Sequence, residues 1–337
     1  ANDSIDVDTT APGAPTVTIV DPNGDGVLNE DETKDGVDVK VTLPDGVEPG
    51  DTVNIDTNGD GEPDVTYELT DDDITNGEAT ITIPSDKLPD DMEDEGLEVT
   101  VTITDKAGNT SPAANDSIDV DTTAPGAPTV TIVDPNGDGV LNEDETKDGV
   151  DVKVTLPDGV EPGDTVNIDT NGDGEPDVTY ELTDDDITNG EATITIPSDK
   201  LPDDMEDEGL EVTVTITDKA GNTSPEANDS IDVDTTAPGA PTVTIVDPNG
   251  DGVLNEDETK DGVDVKVTLP DGVEPGDTVN IDTNGDGEPD VTYELTDDDI
   301  TNGEATITIP SDKLPDDMED EGLEVTVTIT DKAGNTS

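Results

Sequence analysis

The chain has 337 residues, 91 of them Asp or Glu against 12 Lys or Arg, for a net charge of −79, and it contains no Cys, His, Phe or Trp. Disulfides, Cys/His zinc sites, histidine-based nucleophile triads and proton shuttling near neutrality are therefore excluded. An acidic surface with only three Tyr for stacking repels nucleic acid, and no run approaches the roughly 18 apolar residues of a membrane span.

Hydrophobic residues make up 28% of the chain, which with so much like charge is the profile of disorder. The order of the residues predicts folded units instead. The opening Ala1-Asn2-Asp3-Ser4-Ile5-Asp6-Val7-Asp8 recurs at Ala114 and Ala227, so the period is 113 residues. The first two copies differ only where Ala113 becomes Glu226, and the third stops at Ser337, two residues short. A period this long is one domain rather than a solenoid turn.

In chain order, the first unit begins with an alternating run at Thr16–Val20, followed by the acidic turn around Pro22-Asn23-Gly24-Asp25-Gly26. Val37–Leu43 alternates strictly, Pro44-Asp45-Gly46 turns the chain, and Thr52–Asp56 and Val65–Leu69 flank the turn Asn58-Gly59-Asp60-Gly61. Tyr67 alternates with Val65 and Leu69 and reads as a core residue, as do Tyr180 and Tyr293; sugar stacking is the alternative. Asp71-Asp72-Asp73 reads as a solvated turn, with a cation site as the other possibility. After Asn76-Gly77 come Ala79–Ile83 and a stretch, Ser85–Gly96, with room for one helical turn around Leu88 and Met92. Leu97–Thr104 is the longest alternating run, Ala107-Gly108-Asn109 turns it, and Ser117–Val120 is the last strand.

Seven short strands in about 110 residues predict an all-β fold: tandem immunoglobulin-like β-sandwich domains, about seven strands each, in an extended rod. Pro125 and Pro128 stop the ladder, so the seventh strand closes near Asp121. On this reading 1–10 is the last strand of a preceding repeat, while 11–123, 124–236 and 237–337 are Ig-like repeats, the third lacking its last strand. The alternative is a fold that begins where the repeat begins. Strands of about seven residues at ~3.3 Å each, plus loops, make a domain roughly 35–45 Å long.

Asp21 to Glu32 satisfies the calcium-loop spacing D-x-[DN]-x-[DN]-G-x5-E. Asp21, Asn23 and Asp25 turn oxygens toward one point, Gly26 permits the bend, Val27 offers its carbonyl, Asn29 a direct or water-mediated contact and Glu32 a bidentate carboxylate. A strand precedes the loop, so it is no EF-hand. Its copies are Asp134, Asn136, Asp138, Val140, Asn142, Glu145 and Asp247, Asn249, Asp251, Val253, Asn255, Glu258. A second, weaker loop holds Asp56, Asn58, Asp60, Glu62 and Asp64, with Tyr67 where the bidentate acid would stand. Its copies are Asp169, Asn171, Asp173, Glu175, Asp177 and Asp282, Asn284, Asp286, Glu288, Asp290. The alternative for both loops is a turn with its acids facing water.

Strand parity puts both loops beside the exit strand, at the end that meets the next repeat. Asp119 and Asp121 would face the loops Asp158–Asp164, Asp184–Asp186 and Asp218–Asn222 there, and Asp232 and Asp234 would occupy the second junction. Carboxylates from two domains repel unless a cation bridges them, so Ca²⁺ is the expected cofactor and the neighbouring repeats are the expected partners. The alternative leaves Asp119 and Asp121 as outward strand residues.

With Asp8-Thr9-Thr10-Ala11-Pro12 and Asp105-Lys106-Ala107-Gly108-Asn109-Thr110-Ser111, the chain resembles the bacterial Ig-like repeats of giant RTX-type adhesins secreted by the type I route. The resemblance implies an extracellular extender at the bacterial cell surface, a monomeric rod that holds a distal binding module away from the cell, stiffened by calcium at and near the linkers. It carries over no catalytic residue, and the nonapeptide secretion repeats of that group are absent from this sequence. The competing reading makes the repeats binding modules for glycan, mineral or ice, through outward threonines such as Thr80, Thr82, Thr100, Thr102 and Thr104. A carboxylate-pair enzyme would lack aromatics to line its cleft, and halophilic adaptation explains the charge but not the ligand spacing.

Overall fold

The computed structural model describes residues 3, 5–315, 318 and 322–337; Ala1, Asn2 and Ser4 of the expected opening strand lie outside them. The first repeat has eight strands: β1 (Thr16–Ile19), β2 (Val27–Leu28), β3 (Val37–Thr42), β4 (Thr52–Asp56), β5 (Val65–Glu68), β6 (Glu78–Ile83), β7 (Leu97–Thr104) and β8 (Ala114–Val120). They form one sheet in the order β1-β3-β6 and another in the order β2-β8-β7-β4-β5. The second repeat has the same two sheets. In the third, two three-stranded sheets are described: Thr242–Ile245, Val263–Thr268 and Glu304–Ile309 in one, and Val291–Glu294, Thr278–Asp282 and Thr326–Thr330 in the other.

Alternation builds the sandwich. Val37, Val39 and Val41 of β3 point inward from one sheet, and Leu97, Val99, Val101 and Ile103 of β7 from the other, none more than 2% exposed. The core is otherwise Val, Ile, Leu and Ala, and no aromatic ring is fully buried in it. Tyr67 is a half-buried cover over this core rather than part of its interior, because its hydroxyl reaches out to donate to Asp73 Oδ2 at 3.1 Å. At Gly36 (φ 103°) a Cβ would stand 2.3 Å from the Ile83 carbonyl oxygen, so only glycine lets the chain enter β3 beside β6.

Three features depart from the expected pattern. The two-residue β2 pairs parallel with β8, Val27 opposite Asp119 and Leu28 opposite Val120, so the exit strand is held on both sides. Two short helices, α1 (Glu30–Thr33) and α2 (Asp71–Asn76), begin with reciprocal capping boxes, Asn29 with Glu32 and Thr70 with Asp73. Asp71-Asp72-Asp73 is therefore the first turn of a helix, where acids complement the macrodipole, not merely a solvated turn. Ser85–Gly96 holds the expected helical turn as α3 (Met92–Glu95), and before it an additional 3₁₀ turn at Ser85–Lys87.

Candidate metal centres

The first acidic loop leaves β1 and folds around its own carboxylates. Asp21 accepts from Gly24 N–H at 2.7 Å and Gly26 N–H at 2.8 Å. Asn23 Oδ1 accepts from Asp25 N–H, and Asp25 Oδ1 from Val27 N–H, both at 2.9 Å. Glu32 returns to the loop, its carboxylate accepting from Asn23 N–H at 3.3 Å and from Asn29 N–H at 3.1 Å. In the second repeat the Gly139 and Gly137 N–H groups hold the Asp134 carboxyl below the usual range, and Gly252 and Gly250 do the same for Asp247 in the third. The second loop repeats the scheme, with Asp56 accepting from Gly59 N–H at 2.7 Å and Gly61 N–H at 2.9 Å. Asp64 closes it onto Thr57, accepting from its N–H at 2.9 Å and its hydroxyl at 3.0 Å. Burial pushes Asp169 up, but the N–H groups led by Gly174 outweigh it and hold that carboxyl low.

Asn29 makes contacts that the loop motif does not describe. Its Oδ1 caps α1 by accepting from Glu32 N–H at 3.0 Å, and its Nδ2 donates at 2.8 Å to the carbonyl of Ala220, in the next repeat. Asn142 does the same toward Ala333. These contacts open onto a joint that sequence reasoning placed but did not detail. Glu30 N–H donates to Asn222 Oδ1 at 3.0 Å, and Asn222 Nδ2 donates at 2.9 Å to the carbonyl of Asp121 in the linker. Asn335 repeats both bonds with Glu143 and Asp234. Ala220 and Ala333 are 3% exposed, whereas Ala107, in the same turn of the first repeat, is exposed. Gly221 sits at φ 94°, a left-handed conformation that favours glycine, and a Cβ there would also lie 3.1 Å from Asn29 Nδ2. The linker is fastened by Glu93 of α3, whose carboxylate accepts from the hydroxyls of Thr122 and Thr123.

Beside this clamp lies a cavity of about 260 Å³ whose wall includes Asp121, Asp158, Glu161, Asp164, Asp218 and Lys219. Its counterpart at the second joint, about 310 Å³, has Asp234, Asp271, Glu274, Asp277, Asp331 and Lys332. Each gathers five carboxylates against one ammonium. Burial pushes the Asp164 and Asp277 carboxyls above the usual range, and Asp234 is raised by burial and by its neighbours Asp331, Glu206 and Glu274. Two expected members are not in this wall. Asp119 sits exposed where β8 pairs with β2, and Asp184–Asp186 begins a helix, with Asp186 tied to Thr183 and Tyr180. Among the described residues no group of three or more Asp or Glu side chains converges tightly enough to hold a metal ion. The donors in loops and joints are all oxygen, the chemistry of a hard cation such as Ca²⁺ rather than of zinc or copper.

The opposed shifts predict a pH optimum. A carboxyl raised in the fold keeps its proton to higher pH than in the unfolded chain, so stability withheld by Asp164 and Asp277 at neutrality returns as pH falls through their raised values. Asp134 and Asp247, held low, keep their contribution until pH falls below ordinary carboxylate values near about 4. Without divalent cations the chain is expected to melt highest near about pH 5 and lower at neutrality and at about pH 3. A melting temperature that falls steadily on acidification from neutrality would contradict this assignment.

Two facing β-sheets per unit, linked by short proline-bearing segments, define a tandem of Ig-like sandwiches. The chain belongs to the bacterial Ig-like domain family, whose pattern matches residues 45–122, 158–234 and 271–337. Among curated proteins none matches it. Among solved structures it is similar to a Ca²⁺-stabilized adhesin that helps an Antarctic bacterium reach out and bind ice, at 29% identity over 98% of this chain and 73% of that one, with a TM-score of 0.46. It is also similar to a 1.5-MDa bacterial ice-binding adhesin retained at a host cell surface, at 24% identity over 98% of this chain and 96% of the other, TM-score 0.37. A single Ig-like domain of the M. primoryensis ice-binding adhesin matches at 25% identity over 33% of this chain and 100% of its own length, TM-score 0.23. No helix among the described residues is long and apolar enough to cross a membrane.

Proposed function

We propose that the chain is a spacer segment of a bacterial surface adhesin, working outside the cell, whose Ig-like domains are folded and aligned by calcium. The observation that carries this reading is the joint wall, where five carboxylates and one lysine from the linker and the next domain line one cavity. Calcium bound there would neutralise charges that otherwise push the domains apart. Asp121, Glu161, Asp164 and Asp218 would hold it at the first joint, and Asp21, Asn23, Asp25 and Glu32, with Asp56, Asn58, Asp60 and Asp64, would hold it in the loops of the first domain. Near-perfect repetition supports a mechanical role, since reach scales with copy number whereas a recognition or catalytic site is needed once. The outward threonines required by a ligand-binding face are partly engaged in the sheet: Thr195 and Thr308 donate to Asp151 and Asp264 at 2.6 Å each.

Small-angle scattering of the chain in about 10 mM calcium, and again in chelator, tests the reading. In calcium the maximum dimension should exceed ~100 Å with a narrow distance distribution, from three domains of roughly 35–45 Å in line. Chelation should broaden that distribution, and about 1 M NaCl should not restore it. Superimposable curves in all three solutions would remove calcium from the mechanism.

A further inference from the structure

Each internal joint already holds a positive charge supplied by the chain itself. Lys219 stands in the wall of the first joint cavity and Lys332 in that of the second, each among five carboxylates. Their stems are seated on glycine. Gly163 and Gly276 are left-handed (φ 98° and 100°), which favours glycine, and a Cβ on them would stand 2.9 Å from Lys219 Cε and 3.0 Å from Lys332 Cε. The ammonium groups then donate to Glu161 at 3.3 Å and to Glu274 at 3.0 Å. Lys106 lies over Gly50 in the same way, its Nζ 3.8 Å from Glu48, so the arrangement belongs to the domain itself.

Next to each glutamate partner stands a buried acid. Asp164 and Asp277 are 4% and 3% exposed, and each accepts a main-chain N–H, from Glu161 at 2.9 Å and from Glu274 at 2.8 Å. Burial pushes both carboxyls up, and Lys219 and Lys332 pull them back only in part. The hydrogen bond to Glu274, with the Glu274 and Asp277 charges, holds Lys332 above the usual lysine range. Asp218 is committed to Asn222, whose main-chain and side-chain N–H groups it accepts at 2.9 Å each. One ammonium against five carboxylates leaves each joint short of positive charge, yet the lysine side chains are 56% and 58% exposed and have water to move into.

Resting on the calcium reading of the joint, we propose that Lys219 and Lys332 are its resident counter-ions. They neutralise part of the Glu161–Asp164 and Glu274–Asp277 pairs while calcium is absent, and swing out to water when a divalent cation takes those carboxylates. Binding is then an exchange of ammonium for metal rather than a simple addition. A unit positive charge about 6 Å from a divalent ion lowers its affinity roughly tenfold even at the dielectric of water, so a lysine that stayed in place would oppose the metal. In calcium-free solution the same lysine offsets the repulsion that Asp121 of the linker meets from the four carboxylates of the second domain's wall. The lysine therefore aligns the domains weakly at low calcium and sets a threshold that calcium has to exceed before alignment becomes firm.

The test is a calcium titration of the whole chain carrying distance labels on outward residues of the first and second domains. Lys219→Met keeps a stem over Gly163 and removes the charge. Its distance distribution in chelator should be broader than the parent's, and calcium should narrow it at a concentration roughly tenfold lower. Lys219→Arg retains the charge and should titrate as the parent does. Lys332→Met, at the other joint, should leave this distribution unchanged at every calcium concentration, and about 1 M NaCl should shrink the gap between the Lys219→Met and parent midpoints. A Lys219→Met midpoint at or above the parent's, or a distribution no broader in chelator, would overturn the exchange while leaving the calcium reading intact. A parent whose distribution ignored calcium would overturn both.

Discussion

Calcium at about 10 mM is expected to raise the melting temperature of the chain by roughly 5–20 °C for each site that fills, and chelation to reverse it. The estimate follows from mass action. Sites with dissociation constants of about 0.1–1 mM, ordinary for extracellular modules, contribute roughly 1.4–2.7 kcal/mol at that concentration. A domain of about 100 residues shifts its midpoint by roughly 4–8 °C per kcal/mol. The starting stability is low, because the cores are built from Val, Ile, Leu and Ala, and the chain carries a net charge of −79. The joint and the loops can be told apart by a change of sign. Asp164 is 4% exposed with its carboxyl raised by burial, and its Oδ2 accepts only the Glu161 N–H at 2.9 Å among the described hydrogen bonds. Asp164→Asn keeps that bond and removes the charge. It should therefore raise the melting temperature in chelator and blunt the gain in calcium, so the two variants' curves cross as calcium is added. Asp21→Asn in the exposed first loop should blunt the gain without helping the calcium-free protein. A mutant at Asp164 that is less stable in both solutions would show the group to be structural rather than a cation ligand.

Where one side chain has one surface to match, the residue pattern was readable. Val37, Val39 and Val41 alternate with Asp38 and Lys40, and the alternation alone placed them inside. Two-residue β2 offers no period to detect, since Val27 and Leu28 sit within an acidic loop and acquire their strand only from β8. The helices at Glu30 and Asp71 are four and six residues long, too short for a helical period, yet both carry a capping signature, Asn29 with Glu32 and Thr70 with Asp73, that could have marked them. Asn29 shows the deeper difficulty. A side chain at the ninth position of a calcium loop, before an acid-rich turn, satisfies the metal motif and the helix cap equally well. Neither motif announces the bond that its Nδ2 makes to Ala220 of the next domain. The turn Asp218–Asn222 reads locally as an ordinary Gly-Asn turn for the same reason, because its partner lies 191 or more residues away in the chain.

Replacing Asn222 and Asn335 with alanine is expected to free the domains from one another without unfolding any of them. Asn222 is 5% exposed and fastens three segments: it accepts from Glu30 N–H of the first domain, donates to the Asp121 carbonyl of the linker, and donates to Asp218 of its own turn at 2.9 Å. Truncation leaves the Glu30 N–H and the Asp121 carbonyl without their partner, at a cost of about 1–3 kcal/mol for each that stays buried, so the joint opens to let water reach them. Within one domain the only loss is the bond to Asp218, hence a small change in melting temperature. Because the chain has no Cys, single cysteines introduced on outward residues of neighbouring domains carry distance labels without competition. The inter-label distribution should be narrow in the parent and broad in the Asn222→Ala chain. Asn109→Ala is the internal control: among the described residues its side-chain amide reaches the Asp8 carbonyl at 3.3 Å and Asp105, and it lies at no internal joint, so the distances should not change. The clamp needs no metal, whereas the acidic cavity beside it does under the proposed function, so the two act additively on one hinge. Calcium should narrow the mutant's distribution part of the way. If it restored the parental width completely, the asparagines would contribute nothing to alignment that the cation does not already supply.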